Sequence, residues 1–410
     1  MWEQIRSNQI RSMILVILMG ALLLAIGYII GIYFFDSAIA GLIIALIVWG
    51  IMNMVAYFQG DSIILNMSGA RKIGPQDHPR LYNVVEEMKI ASGLEKMPDI
   101  YIIDDPALNA FATGRDPQHA AVAITSGLLE KLNRDELQGV IAHEIAHIKN
   151  RDILLMLMAS ILLGSIVILA WYASRILFFS GMTGGRRRSS SSGGGGFQII
   201  ILAVGIILMI LAPIIAQIIY FAISRRREYL ADASGALYTR YPEGLASALE
   251  KLLNSNTQVK SANKATAPMY ISNPFYKKGM AINDLFATHP PLTDRIRILK
   301  AMGGASYTDY ENAYRKIKGS SVIPASALKT SEKVEIRKSS APETVMETGE
   351  KEISDIEDKV ERTRETSDLM WRLNNYRTIT CENCGTRMRL PPTYKAPLIR
   401  CPHCGYVNQV

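Results

Sequence analysis

The sequence predicts a mainly α, polytopic membrane protein with a metal-binding helical domain and a small cysteine-rich module at its C-terminal end. Three observations predict this. Charge-free apolar runs recur along the first 223 residues. A His-Glu-x-x-His pattern lies on an apolar helix that leads directly into one of them. All four cysteines fall in the last 30 of 410 residues, as two C-x-x-C pairs. Composition agrees. Hydrophobic residues make up 49% of the chain and charged residues 20%, yet mean hydropathy is positive at +0.13, so the apolar residues are concentrated in blocks. The formal charge of +8 admits a nucleic-acid partner. Lys and Arg beside membrane spans on the cytoplasmic side explain it more simply, and nucleic acid is not expected.

Met13–Phe35 is apolar and uncharged; Asp36 and Ser37 interrupt it, and a second such run continues to Phe58. Each is long enough to cross a bilayer core, which takes about 20 helical residues. Together they read as a transmembrane hairpin, residues 1–59. The length of the first run and the span directly after it argue against a cleaved signal peptide. Arg6 and Arg11 precede the hairpin and favour a cytoplasmic N-terminus.

Residues 60–152 read as soluble. Leu81, Val84, Val85 and Met88 have helical spacing, "PDIYIIDD" reads as a strand, and "HAAVAITSGLL" as a strand turning into a helix. Asn133 and Glu136 form a capping-box pattern. Two further apolar runs, Ile153–Ser174 and Phe197–Ile223, flank the flexible stretch "RRRSSSSGGGG" and make a second hairpin, 153–224. Arg225–Arg227 mark its exit. Residues 225–302 read as helical and soluble, 303–375 as a charged linker with one exposed helix, and 376–410 as the cysteine module.

His143 and His147 are four apart and share one face of a helix. Two neutral imidazoles there can take adjacent corners of a tetrahedral zinc, while Glu144 points beside the metal and can accept a proton from water. The bland alternative is a chance pair of helical histidines. Against it stand the well-capped helix and the scarcity of histidine, six in the whole chain. A catalytic zinc needs a third protein ligand. Asp152 is near in sequence, but on a continued helix it is rotated away from the ligand face. From Ile153 to Arg227 there is no Asp, Glu, His or Cys. Glu228 is the next candidate. Asp232, four residues on, is placed to orient a ligand imidazole. Taken alone, this pair is an ordinary charged helix; beside the histidine motif, the ligand reading leads.

"AHEIAHIKNRD", "RRREYLADASGA", the four apolar runs and "NAFATG" together resemble the HtpX-type membrane zinc metallopeptidases, relatives of the prenyl-protein (CAAX) proteases, over roughly residues 1–300. The resemblance implies a gluzincin fold and endoproteolysis of membrane proteins in quality control, with 60–152 and 225–302 as the two halves of the catalytic domain. It implies zinc on His143, His147 and Glu228, with Glu144 as general base and Asp232 behind the ligands. The "THPP" element, Thr288–Pro291, implies that His289 helps to stabilise the tetrahedral intermediate. In "ALNAFATG", Asn109, Ala110 and Ala112 read as an edge strand that pairs with an extended substrate, or as a plain surface strand.

His143 and Glu228 share one metal, so 60–152 and 225–302 lie on the same side of the membrane, the cytoplasmic side, and 153–224 crosses an even number of times. Arg186–Arg188 then lie outside, against the charge rule; a re-entrant hairpin is the alternative.

"CENCG" and "CPHCG" are separated by the sixteen residues Gly385 to Arg400. Cys381, Cys384, Cys401 and Cys404 at this spacing read as a structural zinc site, a zinc ribbon, in a reducing compartment. His403 is not expected to be a ligand, because four thiolates close the site. Arg387, Arg389, Lys395 and Arg400 make the module basic, and a protein partner is expected. The expected cofactors are two zinc ions, one catalytic and one structural. The expected substrates are membrane proteins or unfolded polypeptide beside the lipid bilayer. Rival readings are a CAAX-type processing protease, for which four spans are few to build a chamber, and a membrane-anchored ribbon scaffold that binds protein or nucleic acid.

Overall fold

The computed structural model describes residues 2–158, 225–262, 266–275, 289–329, 331–339 and 348–410. Residues 159–174 of the third apolar run, the whole of the fourth, the Gly/Ser-rich stretch between them, and Thr288 lie outside the described residues.

Helices α1 (Trp2–Phe35) and α2 (Ala38–Met67) form an antiparallel hairpin. Asp36, at φ 49°, turns the chain, and Ser37 caps α2 by accepting the Ala40 amide at 3.3 Å. The helices nearly touch at Gly41, where a Cβ would lie 2.0 Å from the Gly27 carbonyl oxygen. Ile39, Ile43, Ile47, Met54 and Phe58 remain exposed along α2, which is long and apolar enough to cross a membrane. The boundary expected at residue 59 is not a break. α2 runs on to Met67, because its hydrogen-bonding continues through the polar Gln59–Ser62, and Ile64 and Leu65 are buried in the next domain.

That domain has a four-stranded sheet. β1 (Ala70–Ile73) pairs antiparallel with β2 (Asp99–Ile103), β2 pairs parallel with β4 (His119–Thr125), and β4 pairs antiparallel with β3 (Ala110–Asp116). The order β1-β2-β4-β3 leaves β3 at an edge. Helix α3 (Pro79–Ser92) buries Leu81, Val84, Val85 and Met88, the face its spacing predicts. β4 runs into α4 (Ser126–Lys131), and α5 (Arg134–Lys149) follows with the full Asn133/Glu136 capping box. Glu136 also accepts Ser247 and Lys251 from α8 (Pro242–Leu253), at 2.8 and 2.6 Å. Helices α6 (152–158) and α7 (225–239) border the undescribed stretch. α9 (Leu292–Lys300) packs on α8.

The expected linker at 303–375 is corrected. α10 (Tyr307–Lys318) carries Tyr310, Ala313, Tyr314 and Ile317 on one face, and Tyr310 is fully buried in the main core. Glu311 accepts the amides of Val322 and Ile323, ahead of the short α11 (Ala325–Lys329). The chain then returns to α5: Arg337 donates to Asp135 and Gln138 at 2.8 and 2.7 Å and to the Thr239 carbonyl at 2.9 Å. Helix α12 (Thr348–Leu373) buries Thr366 and Leu369 and pairs Glu365 with Arg80. Low average hydropathy concealed this packing, because a few side chains on one face of each helix carry the burial.

Arg337 ties the C-terminal wrap to a nearly buried carboxylate, so Arg337→Ala is expected to destabilise the domain by about 1–3 kcal/mol. Thermal unfolding in detergent reads this as a melting point lowered by several degrees, with the metal sites intact.

Candidate metal centre

α5 is buried from Asp135 to Ile148, its histidines and Glu144 included. α7 crosses it where Gly235 meets the His143 backbone; a Cβ there would be 3.3 Å from the His143 nitrogen. Glu228 is seven residues, two turns, upstream of Gly235 and so lies on the same face. The crossing brings His143 Nε2 and His147 Nε2 to 3.2 Å, His143 Nε2 and Glu228 Oε2 to 3.7 Å, and His147 Nε2 and Glu228 Oε1 to 3.5 Å. Ligand atoms about 2.0–2.1 Å from a tetrahedral zinc are about 3.3 Å apart, so this donor set fits the ion in spacing and in kind.

The other ring nitrogens face carboxylates. His143 Nδ1 lies 3.0 Å from Asp232 Oδ1, and His147 Nδ1 lies 3.0 Å from Asp152 Oδ2. Each carboxylate fixes its ring and leaves Nε2 for a metal. Arg295 on α9, fully buried, grips both oxygens of Asp232 at 2.7 and 2.8 Å and also reaches Glu228 Oε2 at 3.4 Å. Among the described residues, Glu144 Oε1, both ring nitrogens of His289, and Nε and one terminal nitrogen of Arg227, which faces Asp152 at 4.0 Å, have no hydrogen-bond partner. His289 Nδ1 is 3.2 Å from Glu228 Oε2 but out of line for a bond.

Burial acts most strongly on each of these groups, and specific partners override it at Glu228, Asp232 and His147 but not at Glu144. It raises the Glu144 carboxyl, which the neighbouring imidazoles only partly offset. It would raise Glu228 too, but His289, His143 and His147 hold Glu228 well below the usual carboxylate range. Asp232 is likewise held down by Arg295 against burial. Burial would lower His147, yet Asp152 and Glu228 push it up to about 10.

Asp152 and Arg295 are the functional residues that sequence reasoning missed. α5 ends at Lys149, and Arg151 takes a left-handed turn at φ 56°, which swings Asp152 back under His147 instead of away from it. Arg295 carried no local signal beyond its place six residues after His289.

The substrate edge expected at Asn109, Ala110 and Ala112 is corrected. The Asn109 amide donates to the Ser272 carbonyl at 3.1 Å, the Ala110 carbonyl accepts the Ile271 amide at 2.9 Å, and Tyr270 bridges to Phe111. Tyr270 is fully buried with its ring edge-on to Phe111, so the protein's own chain covers this part of β3, and Ala112 is buried.

The tail holds a second cluster. β5 (Arg377–Thr380) pairs with β6 (Arg387–Leu390), and β7 (Leu398–Arg400) with β8 (Val407–Gln409). Each hairpin ends in a C-x-x-C-G turn whose glycine, Gly385 or Gly405, is left-handed at φ 70° or 75°. The four sulfurs, of Cys381, Cys384, Cys401 and Cys404, lie within 4.8 Å of one another, and His403 is not among them. Burial pushes the Cys381 thiol up, but the amides of Cys384 and Asn383 outweigh it and bring it down to about 6. Two of the basic residues reach α12 while staying exposed: Arg387 and Arg389 bond to Asp368, and Arg389 stacks on Trp371.

Asp152→Asn is expected to weaken zinc at the histidine site by about 10–100-fold and to leave the cysteine site unchanged, as read by competition with a chelator. Asp152 and Glu228 favour the protonated His147 ring in the metal-free site, so zinc uptake there is expected to release protons and affinity to rise with pH. Calorimetry in buffers of different ionisation enthalpy measures that release.

Peptidase family M48 matches this chain over residues 75–303. A Protease HtpX homolog from Dictyoglomus turgidum is 46% identical over 302 residues, which are 74% of this chain and 95% of the relative. Homologs of the same name from Caldanaerobacter subterraneus and Streptococcus pneumoniae are each 45% identical over 302 residues and are covered to 98% and 100%. The crystal structure of Ste24p from S. mikatae is 21% identical, with 72% of this chain and 66% of that chain covered and a TM-score of 0.36. The matched stretch contains His143, Glu144, His147, Glu228, Asp232, His289 and Arg295, and the chain belongs to peptidase family M48.

Proposed function

We propose that this protein is a multi-pass zinc endopeptidase that cleaves misfolded or damaged membrane proteins at the cytoplasmic face of the cell membrane. The observation that carries the reading is the convergence of His143, His147 and Glu228 beside the unpartnered Glu144 Oε1. The names of the relatives support the activity. The apolar exposed length of α2 supports the membrane, and Arg6 and Arg11 ahead of the hairpin support the orientation.

The ion, when bound, supplies a Lewis acid for the peptide carbonyl and acidifies water. The protein supplies the rest. Glu144, whose basicity burial increases, accepts the water proton at Oε1 and delivers it to the leaving amine. His289 donates from a ring nitrogen to the carbonyl oxygen as negative charge develops there. Asp152, Asp232 and Arg295 hold the ligands in place throughout. The four-cysteine module takes a structural zinc and, docked on α12, offers a protein-binding surface for holding substrate.

Glu144→Gln is expected to keep both zinc ions and to lose proteolysis by at least about 100-fold, because the amide cannot take up the proton. Casein cleavage and metal content of the purified protein test this together; ordinary turnover by the variant would exclude Glu144 as the base. The scaffold reading predicts that the change is without effect.

A further inference from the structure

α12 presents two sides. One faces the catalytic domain: Arg362, Thr366 and Leu369 are buried there, and Arg372 donates to the Asp77 carbonyl at 2.6 Å. The other faces the cysteine module, and Ile356, Glu357, Val360, Glu361 and Asp368 recur on it at helical spacing. Asp368 holds the module at one end through Arg387 and Arg389. Between helix and module lies a groove of about 1400 Å³. Small-molecule sites are typically about 300–1,000 Å³, so this one has room for a polymer. From Ile356 to Asp368 it follows the helix for about 18 Å, the span of about five or six residues of extended chain.

Three features define the occupant. The first is the backbone of the module wall. Arg387, Met388 and Arg389 of β6, and Ile399 and Arg400 of β7, line the groove in unbroken succession, although neighbouring side chains of a strand point to opposite faces. The groove therefore meets strand edges rather than one sheet face. Among the described residues each of these strands pairs on one side only, β6 with β5 and β7 with β8. An unpaired edge carries a row of N–H and C=O groups that can take up another extended chain. The second feature is apolar surface: Ile356 is 60% exposed and Val360, one turn on, 41%. The third is charge. Glu357, Glu361 and Glu365 outnumber Arg364 on the helix wall, while the module wall carries Arg387, Arg389 and Arg400. The acidic helix disfavours a phosphate backbone or an anionic headgroup. A polypeptide with apolar residues and both signs of charge suits both walls.

We propose that this groove binds an unfolded stretch of polypeptide as an added β-strand on the module's free edge, with its apolar side chains against Ile356 and Val360. That the occupant is a substrate rests on the peptidase reading above: the module then holds chain that has not reached the metal site. Its preference is for five or six residues rich in β-branched side chains and free of proline.

The test measures fluorescence anisotropy of an end-blocked eight-residue peptide with valine at alternate positions and lysine, serine and glutamate between them. The full-length zinc-loaded protein, in nanodiscs of neutral phospholipid, carries Glu144→Gln so that the peptide is not consumed. Two further peptides are methylated on the backbone nitrogens, one at the valines and one at the residues between. Alternate N–H groups of a strand point to opposite edges, so one of the two should bind at least about 10-fold more weakly and the other much less so. Ile356→Ser with Val360→Ser should weaken the unmethylated peptide by at least about 10-fold. If that variant loses its cysteine-site zinc, the methylated peptides decide alone. Two methylated peptides that bind as well as the parent, or no effect of the serine changes in a zinc-loaded module, overturn the groove. So does displacement of the peptide by single-stranded RNA or by anionic phospholipid vesicles, which marks a phosphate-binding surface instead. With Glu144 in place, the serine changes should raise KM for casein. Edge-selective binding without hydrolysis of any polypeptide overturns the peptidase reading and leaves the groove as a peptide site; hydrolysis without edge-selective binding overturns the groove alone.

Discussion

The rest of the structure depends on the pairing of charges that have no water around them. His143, Glu144, Asp152, Glu228, Asp232 and Arg295 meet in the interior with essentially no exposure. An unpaired charge there would cost several kcal/mol, so each except Glu144, whose Oε1 is left without a hydrogen-bond partner among the described residues, is paired, and the partners come from four different segments. α5 brings the histidines, the turn at Arg151 brings Asp152, α7 brings Glu228 and Asp232, and α9 brings Arg295. The carboxylates outnumber the arginine, and a dication on the two imidazoles and Glu228 fits that excess.

This constraint explains why so much of the chain is committed to holding α5. The capping box at Asn133 closes its first turn, and the same Glu136 is tied to α8. Asp135, at the same end, receives Arg337 from 202 residues away. A ligand helix that shifted by half an ångström would lose the fit at three metal distances, and side chains of this kind hold position only when their own supports are rigid. The C-terminal segment that reads as solvated linker is therefore part of the support, and α12 in turn gives the cysteine module a place to dock through Asp368 and Trp371.

The continuity of α2 explains how a water-requiring site can sit against lipid-type sequence. The helix does not end where its apolar run ends. Ile64 and Leu65 pack it against the sheet edge, so helix and domain are joined by buried side chains rather than by a flexible tether.

Local spacing determined much of this. The i, i+4 histidines with Glu144, the capping box ahead of them, the helical face of α3 and the two C-x-x-C turns are patterns no longer than about two helical turns, Glu228 follows by elimination as the first acid after a long apolar gap, the α1/α2 hairpin follows from two long uncharged runs, and each is found where the sequence puts it. Tertiary structure alone decided the rest. Asp152 lay on the wrong face by helical arithmetic until a left-handed Arg151 reversed the chain. Arg295 and Arg337 are isolated residues whose partners lie 63 and 202 positions away. The edge at Asn109 and Ala110 looked open until residues 270–272 covered it. Periodicity encodes which face of an element is buried, but it carries no record of which distant backbone or charge arrives to meet that face; that is settled only when the buried polar groups of the whole chain must be satisfied at once.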